Sequence, residues 1–368
     1  MPTVSDLIKA IDAKYPFARA ESWDKTGLQI GDVGAEVRSV LVAHEVTEAT
    51  IAEGLGHQAL VVYHPLLFRP LDNLDFRNHT VRLAARCIAA NLHVVAVHTA
   101  LDSAPQPHAL GDALAQSLDL QNIQVLQPSG DEALVKIVVF TPPEELEKVR
   151  QSLWDAGAGE FGNYDLASFQ ARGTGTYRPL PGANPYEGEV GKLEEADEWR
   201  LEVIVPERRR DAVVRAMLEA HPYEEVAYDV YPLLNAINPY GAARMGELSA
   251  LTAGMNFDDY ARAVGKKLNA PNLRLVRAQD TVRKVACVPG SGASYIDAAV
   301  RASCDCLVTG DIKHHDALKA QALGLSLIDT THVATECAAI KLIADTLGAT
   351  LDINVAYSQL DTNPFAAL

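Results

Sequence analysis

The spacing of apolar positions changes along the chain, and the changes mark out elements. Residues 4–15 carry apolar side chains three and four apart, with Ser5 placed to cap, which predicts a helix. Residues 37–43, 59–63 and 94–97 are short, nearly all-apolar runs that read as buried strands, and 47–54 and 78–91 between them have helical spacing. Strands separated by helices imply βαβ units and a largely parallel sheet. The rhythm returns near the end of the chain. Residues 284–288, 306–309 and 326–329 read as strands, and 295–303, 316–323 and 333–347 as helices.

The middle follows another pattern. A strand at 135–140 leads to a helix at 143–156, opened by Pro142-Pro143-Glu144-Glu145. A Gly-rich, hairpin-like stretch at 157–177 and a loop holding Pro179, Pro181 and Pro185 come next. A strand at 199–205, a helix at 207–220 and a strand at 226–231 complete a β-α-β-β-α-β order, the signature of a ferredoxin-like α+β module. Residues 127–131 and 234–241 have linker composition. The expected architecture is an α/β domain with a mainly parallel sheet, formed by 1–128 and 241–368 and split by a ferredoxin-like insert at 131–234.

Composition narrows the function classes. The 368 residues are 48% hydrophobic with a formal net charge of -16, a globular balance whose field repels phosphate backbones and anionic lipid. Neither nucleic acid nor membrane is expected as a partner. No apolar run approaches the roughly 20 residues needed to span a bilayer, and residues 1–7 lack the layout of a signal peptide. Cys87, Cys287, Cys304, Cys306 and Cys337 are odd in number and sit mostly in apolar segments, so they read as reduced core thiols in a cytoplasmic protein.

Three polar clusters lie just past predicted parallel strands, where open α/β sheets build their sites. His64-Pro65 follows the second strand, His98-Thr99-Ala100-Leu101-Asp102 the third, and His332-Val333-Ala334-Thr335-Glu336 the last. His332 and Glu336, four apart at a helix start, share one face. His98 and Asp102 have the same spacing, but Pro105 and Pro107 favour a loop there. Three imidazoles and two carboxylates at one sheet edge are the donors that Zn, Mn or Fe prefer, a carboxylate can bridge two such ions, and a water held between them becomes a nucleophile near neutral pH. Each histidine could equally cap its strand or helix through a backbone hydrogen bond, and the spacing names no metal.

The ordered set of motifs resembles the dinuclear-metal-centre hexamers known as GTP cyclohydrolase I type 2 homologues, the Nif-like proteins. The resemblance rests on Trp23-Asp24, Gly27-Leu28-Gln29-Ile30-Gly31, Tyr63-His64-Pro65-Leu66-Leu67-Phe68, His98 to Asp102, Gly290-Ser291-Gly292, Thr309 to Asp316 and His332 to Glu336. The middle module resembles the PII-like or CutA-like insert of longer bacterial members. The resemblance implies that His64 and Asp102 hold one metal and His332 the second, that Glu336 bridges, and that His98 is a further ligand or a supporting partner. It implies one or two divalent transition metals per chain and a hexamer built as a dimer of trimers. The bacterial pattern has His-His-Pro where this chain has Tyr63-His64-Pro65, so the His332-side metal is expected to bind more weakly, or with help from the Tyr63 hydroxyl.

His314 and His315 are adjacent, so at most one can face a site, and the family pattern favours His315 with Asp311. Gly290-Ser291-Gly292 reads as an ordinary tight turn, with a phosphate cradle at the helix N-terminus as the alternative, and Arg208-Arg209-Arg210 reads as a solvated face. The expected function is metal-dependent hydrolysis of a small substrate, GTP by the family's name, with Glu336 bridging, Tyr63 or His98 positioning water, His315 as general acid and Lys313 available to an anion. The alternative is a non-catalytic, metal-stabilised ring with a regulatory or scaffolding role, whose insert senses a small molecule.

Overall fold

The computed structural model describes residues 1–162, 164–235, 238–248 and 254–365, so Ala236 and Ile237 of the predicted linker lie outside the described residues. The chain forms two units, residues 1–130 with those from 240 onward, and residues 131–239. Unit one begins with α1 (Val4–Lys14), β1 (Gly27–Ile30), β2 (Ser39–Ala43), α2 (Glu48–Glu53) and β3 (Ala59–Val62). It continues through α3 (His79–Ala89), β4 (His93–Ala96), α4 (Thr99–Asp102), α5 (Leu110–Ser117) and β5 (Leu120–Val125). Unit two comprises β6 (Leu134–Thr141), α6 (Leu146–Asp155), β7 (Phe169–Tyr177), β8 (Glu194–Pro206), α7 (Arg210–Ala220) and β9 (Tyr228–Leu233). Unit one resumes with β10 (Arg244–Leu248), β11 (Met255–Asn256), α8 (Phe257–Lys267), β12 (Arg274–Val276), β13 (Thr281–Val282) and β14 (Lys284–Ser291). Then come α9 (Ile296–Arg301), β15 (Cys306–Gly310), α10 (His314–Ala322), β16 (Ser326–Asp329), α11 (His332–Glu336), α12 (Ala338–Thr350) and β17 (Asn354–Tyr357).

Unit one has two main sheets where a single, mainly parallel one was expected. The first runs β1-β4-β3-β2-β17 with four parallel strands and β1 antiparallel at its edge. The second runs β12-β16-β15-β14-β10-β5, and only the adjacent pairs β14–β15 and β15–β16 are parallel. The apolar runs follow from burial on both faces. Val40 and Val42 of β2 enter one core cluster and Leu41 and Ala43 another, as Val61 and Leu60 do in β3. The two stretches of unit one interleave: β5 from the first joins the second sheet, and β17 from the end of the chain joins the first.

A buried ion pair fastens the two stretches. Arg244 of β10 is fully buried, and its guanidinium donates through Nε to Asp112 Oδ1 of α5 at 2.5 Å and through Nη2 to Oδ2 at 3.2 Å. Thr3, in place of Ser5, caps α1: its Oγ1 accepts from Asp6 N at 3.3 Å, and the Asp6 carboxylate accepts from Thr3 N at 3.0 Å. Cys337 is exposed, unlike the other four cysteines. It stands at the junction where the expected helix 333–347 divides into α11 and α12. In unit two the antiparallel sheet runs β7-β8-β6-β9, and β6 and β8 bury Val135, Ile137, Val139, Leu201 and Val203 beneath α6 and α7.

Candidate metal centre

The carboxyl ends of the parallel strands of both sheets in unit one supply the polar residues. His44 follows β2, Tyr63 and His64 follow β3, and His98 follows β4. Asp311 follows β15, and His332 opens α11 just past β16. Thr331 caps α11 by accepting from Ala334 N at 3.2 Å, and the short helix sets His332 and Glu336 one turn apart. The Thr335 hydroxyl donates to the His332 carbonyl at 2.7 Å and accepts from Gly290 N at 2.8 Å, which ties α11 to β14. Gly290 has φ +64°, and a Cβ there would lie 2.5 Å from Glu336 Oε1. The Gly-Ser-Gly segment, expected as a tight turn, continues β14 as far as Ser291, with a register irregularity after Cys287, and makes room for Glu336.

Glu336 is the focus. It is only 3% exposed, and three imidazole nitrogens converge on it: His44 Nε2 at 3.0 Å and His64 Nε2 at 3.1 Å from Oε2, and His332 Nε2 at 3.2 Å from Oε1. Among the described residues there are two sets within each of which the donor atoms lie inside 4.8 Å of one another: His64 with His332 and Glu336, and His44 with Glu45 and His64. Burial works against the Glu336 charge, but hydrogen bonds from His332, His44 and His64 overcome it and hold the carboxyl well below its ordinary range. The hydrogen bond to Glu336, against burial and with help from Asp311, lifts His332 to about 9. Burial pulls His64 below its ordinary value, favouring the neutral ring that can donate a lone pair to a cation.

Two of the imidazoles are held from behind. Asp311 Oδ2 lies 2.7 Å from His332 Nδ1, and Asp24 Oδ1 lies 2.7 Å from His98 Nδ1. A carboxylate on one ring nitrogen fixes the tautomer and leaves the other free to ligate. Asp24 also accepts from Thr99 N at 3.1 Å, and His98 has φ +40°, a strained conformation for a non-glycine residue. Past His98 the chain makes one helical turn, α4, where a loop was expected. Asp102 on that turn accepts from the Tyr63 hydroxyl at 2.7 Å, and burial pushes its carboxyl up to about 7. The His44 and Tyr63 rings stack at 5.5 Å.

Two cavities meet at the cluster, and His64 and His332 line both. One, about 440 Å³, also touches Tyr63, His98, Asp102 and Glu336. The other, about 870 Å³, touches Glu45, Arg274, Asp311 and Asp329. His64, His332 and Glu336 thus come together, whereas Asp102 and His98 line the same cavity without joining either close donor set among the described residues. His315 is exposed on the first turn of α10, and neither it nor Lys313 lines these cavities. Sequence reasoning passed over His44 and Glu45, and it gave Asp24 no role although Trp23-Asp24 was among the motifs that carried the resemblance. The rule that found His64 would have found His44, the first residue past an apolar strand; Asp24 lies outside any strand or helix and carries no periodic signal.

Residues 2–364 match the family model described as Duf34/NIF3 (NGG1p interacting factor 3). A Bacillus subtilis (strain 168) protein named GTP cyclohydrolase 1 type 2 homolog is 37% identical over 369 residues, covering 98% of each chain. A protein of the same name from Staphylococcus aureus (strain MSSA476) is 30% identical over 369 residues, covering 98% of this chain and 99% of its own. Among solved structures, a Bacillus cereus protein related to NIF3 superposes with a TM-score of 0.92 at 37% identity, over 100% of this chain and 99% of that one.

Proposed function

The chain belongs to the Duf34/NIF3 family, and on that premise we propose that it is a divalent-metal-dependent hydrolase of a small substrate. His64, His332 and Glu336 are its primary metal donors, and His44 and Glu45 flank a second position. One observation carries this reading: three Nε2 atoms meet on one buried carboxylate, and the His332 ring is pinned from behind by Asp311. The donor chemistry fits. Neutral imidazole and carboxylate suit Zn, Fe or Mn, and a cation would replace the protons that otherwise offset the buried Glu336 charge. Such an ion, when bound, lowers the pKa of water and polarises an electrophile.

The other side chains orient and move protons. The Tyr63 phenol, raised well above its ordinary value by burial and by Asp102, stays protonated and donates to Asp102. Asp102, held near 7 by burial, is poised to take up or release a proton at neutral pH. His98, its Nδ1 held by Asp24, lines the smaller cavity, where it can serve the leaving atom. Unit two, read as the ferredoxin-like insert, supplies none of these groups, and a hexamer is the assembly we propose.

The relatives' name makes GTP the first substrate to try. Metal-loaded wild type should hydrolyse at least one member of a nucleotide panel, and Glu336→Ala should lose at least about a hundredfold in turnover. Wild type with stoichiometric metal but no turnover above Glu336→Ala would remove the enzyme reading and leave a metal-stabilised, non-catalytic assembly.

A further inference from the structure

Unit two has a cavity of its own. Leu201, Val203 and Val205 of β8 face α6 and α7, so by alternation Ala196 and Glu198 face the other way. Their ladder partners in β7 are Gly175 and Gly173, which leave that part of the sheet bare. A segment beginning at Arg178 and the turn after α7 close over it, joined where Asn184 N donates to Glu224 Oε1 at 2.7 Å. The result is a cavity of about 500 Å³ walled by Phe140, Tyr177, Pro179, Tyr186 and Tyr223, with Glu198 among its lining.

Glu198 is 8% exposed, yet no cation pairs with it among the described residues. The Tyr223 hydroxyl donates to Oε1 at 3.2 Å, and Oε2 has no hydrogen-bond partner among the described residues. A Cβ on Gly175 would stand 2.1 Å from Oε2, so glycine is what gives that oxygen room. Burying a carboxylate without a cationic partner is costly, and burial raises this one above its ordinary value. The lining also holds Glu224 and Glu225 against one cation, Arg178, whose side chain is exposed.

We propose that this cavity binds a small organic cation carrying N–H groups, an amine or a guanidine, which donates to Glu198 while the rings of Tyr177, Tyr186 and Tyr223 flank its charge. A charged donor on a carboxylate forms the stronger class of hydrogen bond, and a desolvated cation is attracted to aromatic faces. The Tyr186 and Tyr223 rings already stand 5.7 Å apart, tilted by 46°. This site shares no residue with the metal centre and does not depend on its reading.

Calorimetric titration of the full chain tests it, with agmatine as the probe and tetramethylammonium as a cation without N–H groups. Agmatine should bind saturably, and Glu198→Gln should weaken it at least about tenfold. Tyr223→Phe should weaken it less, Glu336→Ala should leave it unchanged, and tetramethylammonium should bind at least about tenfold more weakly than agmatine. Melting of Glu198→Gln at or above the wild-type temperature shows that the variant is folded. No saturable agmatine binding up to about 10 mM, equal affinity in Glu198→Gln, or equal binding of tetramethylammonium overturns the proposal.

Discussion

Asp311 touches the proposed metal only through His332, at 2.7 Å from Nδ1, so its replacement isolates the effect of orientation. Asp311→Asn should weaken metal affinity about 10- to 100-fold without removing a ligand, measured by competition with a chromogenic chelator. Position 63 invites a second comparison. The first histidine of the bacterial pattern is Tyr63 here, but His44 brings an imidazole to 3.0 Å from the Glu336 carboxylate. If His44 supplies what position 63 lacks, His44→Ala should lose one bound ion or weaken it at least about tenfold, while Tyr63→Phe keeps the wild-type count. A higher count in Tyr63→His, with no effect of His44→Ala, would sink that exchange of roles. At this scale the sequence was readable wherever a residue ended an apolar strand or shared a helical face. The i to i+4 pairing of His332 and Glu336 is such a case. It was unreadable where the partner came from a distant loop, as with Asp24 behind His98, or where a turn rewound, as α4 does in bringing Asp102 to Tyr63.

Among the elements, strands buried on both faces announced themselves, because β2, β3 and β4 are continuous apolar runs. The edge strands β1, β5 and β12 did not, since one side of each has no partner strand and their burial is only partial. Within unit two, β8 carries a testable cost. Burial raises the Glu198 carboxyl, so the folded state holds its proton more tightly than the unfolded chain. That contribution is intact below the unfolded pKa and declines as pH rises through the folded one. In the absence of ligand, Glu198→Gln should therefore melt above wild type at pH 7, and the gap should close toward pH 4, followed by circular dichroism. A gap that is constant with pH would mean that the carboxylate is not penalised in its cavity.

For the molecule as a whole, two α/β stretches and an intervening module were legible from the return of one rhythm on either side of a different one. The crossing of β5 and β17 between sheets was not, because strand pairing across such sequence distance leaves no local trace. The Arg244–Asp112 pair holds that crossing together. Asp112→Ala strands a buried guanidinium and should cost about 3–5 kcal/mol in denaturant unfolding. A loss under about 1 kcal/mol would show that the pair is dispensable. The proposed hexamer should sediment with the mass of six chains, and a monomer in the presence of metal would contradict it. The metal centre stands or falls on whether His44, His64, His332 and Glu336 grip a cation. Elemental analysis of native wild type beside Glu336→Gln measures this directly. Wild type should hold about one to two Zn, Fe or Mn ions per chain, and the variant at least about tenfold less. Wild type without stoichiometric transition metal, or a variant that retains all of it, would mean that this cluster is not a metal centre.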